Sequence, residues 1–218
     1  KQLDSAARRF EASLNRRHAQ LLQAAYDMVV DGRIRKAIDL TQESDKTRDR
    51  YGRNKFGQSI LLARRLIEAG VQLVGYNEFN QKWDTHGGLQ GRYNDIVPPM
   101  DQAFSALVGD LDERRLLDQT LVINAGEFGR TPKMNKGGGR DHWPNAYSVA
   151  LAGGGIQGGA VLGASDRMGA EVVERPVHPS DVLATMWRQL GISPATTSHD
   201  RLQRAFRISD GRVLSEIV

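Results

Sequence analysis

The sequence predicts an α/β fold, a mostly parallel sheet flanked by helices over residues 51–218, behind a helical N-terminal segment at residues 1–50. Three observations lead there. Stretches with helical periodicity alternate with short β-branched runs, the pattern of strands joined by helical crossovers. Glycine and proline punctuate those runs. The 23 glycines are sparse before Gly70 and dense from Gly87 to Gly169, as in a helical front followed by a loop-rich α/β part.

The elements follow in order. Leu3 to Val30 reads as a long helix, with Phe10, Leu14, Leu21, Leu22, Ala25 and Met28 at three- and four-residue steps and Gly32 closing the run. Ile34–Leu40 is a shorter helical piece, and the polar stretch Thr41–Arg50 reads as a loop. Phe56–Ala69 is helical and stops at Gly70. Val71–Tyr76 then reads as a buried strand, Pro99–Leu117 as a helix, and Thr120–Ala125 as a second buried strand. Tyr147–Ala152 and Ala160–Leu162 read as two more, either side of the cluster Gly153–Gly159. The last helix, Ser180–Leu190, has Ser180 as its expected N-cap and ends at Gly191.

Composition narrows the function classes. With 218 residues, 39% of them hydrophobic, the chain can bury a sizeable core. The net charge of +4 comes largely from early arginines such as Arg8, Arg9, Arg16 and Arg17, which are interleaved with acids. That is a solvated helix face and not the basic stripe of a nucleic-acid binder. There is no cysteine, so disulfides, thiolate metal sites and a cysteine nucleophile are excluded. No apolar run approaches the roughly 20 residues that a membrane-spanning helix needs.

Chemistry-bearing residues gather in the loops after the two best strand candidates, where ligands of open α/β sheets collect. NEFNQKWDTHGG holds Asp84 and His86; GEFGRTPKMNKGGGRDHWPN holds Glu127, Arg130, Asp141 and His142. Carboxylate oxygens with neutral imidazoles suit zinc or manganese better than calcium or magnesium. Asp84 and His86 face one way only on extended backbone, since on a helix they diverge by roughly 200°. Arg130 is a permanent planar cation suited to a phosphate or sulfate group. Each motif also has a bland reading. Asp84-Thr85-His86 makes a turn whose aspartate caps local amides, Glu127 and Arg130 pair structurally, and Asp141-His142-Trp143-Pro144 is a turn with a satisfied histidine. His18 and His199 read as solvated, and His178 as packing or capping.

The runs FGQSILLARRLIEAGVQLV, WDTHGG, LLDQTLVINAGEFGRTPKMNKGGGRDHWP, LAGGGIQGG and GASDRMG, with VHPSDVLATMWRQLG after them, resemble the uncharacterised bacterial DUF1501 family between Tyr51 and Gly191. The resemblance implies an alkaline-phosphatase-like or sulfatase-like fold. It also implies a metal-dependent hydrolase of phosphate or sulfate esters, acting on a small anionic ester or a sulfated or phosphorylated glycan. By that resemblance Asp84, His86, Glu127 and His142 hold the divalent metal, Arg130 binds the anion, and Asp141 orients an imidazole. Phe128 stands where the superfamily has a ligating histidine, which opens a second reading: a non-catalytic module that binds a metal, a glycan or a protein. The resemblance further implies that the nucleophile and the sheet's first strands lie in an N-terminal half outside this chain. The expectation is therefore an incomplete, inactive C-terminal portion, prone to self-association through unpaired strand edges, from a parent exported to the periplasm or envelope.

Overall fold

Short polar side chains start most of the helices, and they do so where the sequence places an Asp, Ser or Asn before a helix-forming run. In the computed structural model, which describes residues 19–20, 22–23, 26–27, 30–77 and 81–218, Asp31 caps helix α1 (Gly32–Ile38) by accepting from Arg33 N at 2.7 Å. Asp39 caps a 3-10 turn, Leu40–Gln42. Ser44 caps α2 (Asp45–Tyr51), and Asn54 caps α3 (Lys55–Glu68). The α2 helix corrects the expected loop at Thr41–Arg50: the Ser44 hydroxyl takes the Thr47 amide at 3.1 Å and nucleates a turn that apolar periodicity alone does not reveal. The helix expected at Leu3–Val30 lies largely outside the described residues.

The chain divides into two units, Lys1–Tyr76 and Asn77–Val218. In the first, Ala37, Tyr51 and Leu61 are buried. Gln58 locks the α2–α3 corner, donating to Arg48 O and Gly52 O at 3.1 and 2.8 Å and accepting from Arg48 Nε at 2.9 Å. Gly57 is required there, since a Cβ would stand 2.0 Å from Tyr51 O. Arg65 donates to Ala37 O and Lys36 O, closing the C-terminal end of α1 with a cation. Arg64, 1% exposed, is held by Glu43 at 2.8 Å and Glu68 at 2.5 Å, and Glu43 also pairs with Arg65.

The second unit opens with α4 (Leu89–Glu113), which begins ten residues before the expected Pro99 and carries Pro98 and Pro99 inside it. The two prolines forfeit donors to the carbonyls of Asn94 and Asp95, both exposed residues where water can replace them. Ala103, Ala106 and Leu111 face the core with Ala184, Leu214 and Ile217. Eight short strands follow: β1 (Val122–Asn124), β2 (Gly129–Arg130), β3 (His142–Trp143), β4 (Ala150–Ala152), β5 (Ala164–Ser165), β6 (Val172–Glu174), β7 (Thr197–His199) and β8 (Ala205–Arg207). Helix α5 (Pro179–Gln189) lies between β6 and β7. Its N-cap is His178, not Ser180, in a capping box with Asp181.

The expected parallel sheet is not formed among the described residues. Four two-stranded ladders, β1–β4, β2–β3, β5–β6 and β7–β8, are all antiparallel. A parallel neighbour of β1 would need a helical crossover, and the excursion 125–149 instead folds as a hairpin that returns the chain antiparallel. Val71–Tyr76 is no strand; it has no ladder partner among the described residues, and Leu73 is 81% exposed. Ala160–Leu162 is likewise irregular, the strand falling at Ala164–Ser165.

Replacing Glu43 by Ala leaves Arg64 buried with one carboxylate fewer and is expected to lower stability by about 3 kcal/mol, read by urea denaturation. Burial raises the Glu43 carboxyl pKa, but hydrogen bonds from Arg65 and Arg64 outweigh burial and the net shift is downward. A depressed pKa stabilises fully above the ordinary glutamate range and loses its contribution as pH falls through the folded value. The advantage of wild type over Glu43→Gln should therefore shrink towards acid, and an undiminished one contradicts the ion-pair account.

Candidate metal centre

Two loops meet in the second unit. The β2–β3 ladder sets Arg130 directly opposite His142 and Gly129 opposite Trp143. Gly129 is needed for this register, because a Cβ there would stand 1.9 Å from Ala146 O. The β2–β3 loop then clasps the Asp84–Gly88 segment: Arg140 N donates to Thr85 O at 2.9 Å, Gly88 N to Gly137 O at 3.1 Å, and Leu89 N to Gly138 O at 3.0 Å. Gly139 lies flat against this segment, its missing Cβ only 2.2 Å from His86 C.

Asn135 is the hub of the clasp. Its Oδ1 accepts from Gly137 N and Gly139 N at 2.9 and 3.1 Å, and its Nδ2 donates to His86 O and Asp141 Oδ1 at 2.9 and 3.1 Å. Sequence reading passed over it, although asparagine before a glycine run is a turn signal. Thr131 also contributes, its hydroxyl accepting from Asp141 N at 3.1 Å.

The clasp brings Asp84, His86 and His142 together, with one potential ligand atom from each lying within 4.8 Å of the others. A single carboxylate oxygen, Asp84 Oδ1, accepts from Arg130 NH1 at 2.6 Å and from His142 Nε2 at 2.9 Å, with His86 Nε2 3.0 Å away. The hydrogen bond from Arg130, followed by that from His142, holds the Asp84 carboxyl down at about 2, so it is a carboxylate at neutral pH. Asp141 Oδ1 meets His86 Nδ1 at 2.7 Å, and this bond, with that from Asn135, lowers the Asp141 carboxyl as well. Phe128 packs on the His142 ring at 4.2 Å between centroids and lies under the Arg130 guanidinium at 5.6 Å. It supports the site without ligating. Glu127, expected as a ligand, is exposed in the link between β1 and β2 and is not one of the three grouped residues.

His86 thus sits between two carboxylates. An ionised Asp141 can only accept, so Nδ1 carries the ring proton, a tautomer assigned from its partner. In a neutral ring, Nε2 then carries the lone pair, and Asp84 Oδ1 lies 3.0 Å from it with no directed hydrogen bond between them. A cation near both atoms would relieve that contact. The donor set fits a cation. Ligand atoms around tetrahedral zinc, at bond lengths of about 2.0–2.1 Å, lie roughly 3.3 Å apart; the two imidazole nitrogens stand 3.0 and 2.9 Å from Asp84 Oδ1. The carboxylate–imidazole pair Asp141–His86 is the outer support that metal-ligating histidines ordinarily have.

The described chain is therefore a mixed α/β protein, with five helices among those residues, small antiparallel ladders and a possible metal-binding triad at its surface. It belongs to the DUF1501 family, described as proteins of unknown function, whose profile matches residues 2–218. No curated protein and no solved structure matches it significantly.

Two glycines in the clasp separate steric from conformational demand. Gly139→Ala should drive the loops apart, cost at least about 2 kcal/mol and disrupt the cluster. Gly138→Ala, with φ +69° but no atom within 4 Å of its Cβ, should cost only about 1 kcal/mol of left-handed strain. Thermal unfolding of the two variants orders them, and equal losses would contradict the packing argument.

Proposed function

We propose that Asp84, His86 and His142 hold one divalent cation, zinc or manganese, and that the chain belongs to a metal-dependent hydrolase of phosphate or sulfate esters related to the alkaline phosphatase and sulfatase superfamily. The observation that carries this reading is the grouping of Asp84, His86 and His142, whose ligand atoms lie within 4.8 Å of one another, with His86 backed by Asp141 at 2.7 Å. Such a cation supplies Lewis acidity towards a phosphoryl or sulfuryl oxygen. Asp141 holds the His86 tautomer that presents its lone pair. Arg130, stacked on Phe128 and bonded to Asp84, is the group available to meet an anionic oxygen, by exchanging one carboxylate contact for another acceptor. Among the described residues no serine or threonine hydroxyl bonds to the carboxylates or imidazoles of the cluster.

A second reading has its own support. Phe128 fills the flank of His142 with an apolar ring, so no second ion finds a ligand at that position. The cluster is then a one-metal site in a non-catalytic binding module.

Metal analysis after zinc loading and desalting is expected to find about one ion per chain. His86→Ala and His142→Ala should each remove it. Asp141→Asn should weaken affinity roughly 10–100-fold while keeping the stoichiometry, and Glu127→Ala should change nothing. Metal-free wild type after loading would overturn the metal site, and loss of metal on changing Glu127 would overturn the assigned set.

A further inference from the structure

A groove of roughly 460 Å³ opens beside the cluster and shares Asp141 with it. Most of its uncharged polar groups are already engaged, and Asp141 is bonded through Oδ1 to His86 and Asn135. The Thr131 hydroxyl donates to Lys133 O at 2.9 Å and accepts from Asp141 N. Both ends of the Asn135 amide are bonded within the clasp. The Trp143 indole N–H donates to Ala170 O at 2.7 Å. What remains along the groove is mainly Trp143, Met134, Met168 and Pro132, and its surface is overwhelmingly apolar. Exposed Lys133 is the one cation among the lining residues.

We propose that this groove takes a flat apolar ring, the aryl part of an anionic ester whose charged head lies at Arg130 and the cation cluster. The position of the head rests on the function proposed above; the ring site does not. A sugar presents hydroxyls around its rim, and each one buried here would lose water without gaining a partner. An aryl ring asks only for apolar surface. Trp143 is held by its β3 pairing opposite Gly129 and by its indole hydrogen bond, so its plane is set before a ligand arrives. Met134 and Met168, both well exposed, are unbranched thioethers that adapt to a ring edge. Lys133 adds positive charge at a site built for an anionic ligand.

The test uses the full chain with ¹³C-labelled methionine methyls and two neutral probes, phenol and methyl glucoside, neither of which requires Arg130 or a metal. Phenol should shift the Met134 and Met168 methyls saturably and leave Met100 and Met186 unmoved, while the glucoside shifts none. Trp143→Ala should weaken phenol at least tenfold. Met168→Glu, at a residue 62% exposed whose change spares the fold, should do the same. His86→Ala should leave phenol binding intact. In zinc-loaded protein, phenyl phosphate should bind at least tenfold more tightly than phenol. Absence of a saturable phenol shift, equal affinity for the glucoside, or indifference to both groove variants overturns the ring site. Equal affinity for phenol and phenyl phosphate overturns its link to the cluster. Zinc content of the same samples reports separately on the cation reading.

Discussion

The centre depends on one oxygen atom. Asp84 Oδ1 faces a guanidinium and two imidazoles at 2.6–3.0 Å, and these groups come from two segments far apart in sequence. Remove that carboxylate and Arg130, His86 and His142 have no common partner. The acid is strong because Arg130 and His142 both bond to it, so it offers full negative charge at neutral pH. The opposing carboxylate of Asp141 fixes the far side of His86. Together they frame the three-residue group that could hold a metal ion.

Backbone geometry makes that convergence possible. Cross-strand pairing in β2–β3 puts Arg130 and His142 side by side, and the Asn135 clasp presses the Asp84–Gly88 segment against them. Glycine is essential at Gly129 and Gly139 because backbone atoms lie where a Cβ would be. The same hairpin contributes Met134 and Trp143 to the neighbouring groove, which Met168 completes from the segment between β5 and β6.

Much of the site was legible in the sequence because it is made of chemically unambiguous residues. Asp84, His86, Asp141 and His142 stand in two motif-rich loops, and the structure brings these four side chains together. Helix α3 was legible through its apolar spacing and its terminal glycine. The failures have local causes. Val71–Tyr76 has the composition of a strand, but strand formation depends on a partner that composition does not specify. The direction of β1 and β4 was misjudged because the fold of the intervening hairpin is set by contacts at Gly129 and Asn135, not by periodicity. Helix α4 runs through Pro98 and Pro99 against local preference, and α2 rests on a cap at Ser44. Glu127 matched the motif by position, yet lies exposed outside the triad.

The central claim is that a cation sits where Asp84 Oδ1, His86 Nε2 and His142 Nε2 converge. Anomalous diffraction at the zinc edge, from crystals of the zinc-loaded chain, tests it most directly. The account predicts one strong peak within about 2.1 Å of all three atoms. A peak bonded elsewhere, or none with His86 still bridging Asp84 and Asp141, would contradict it.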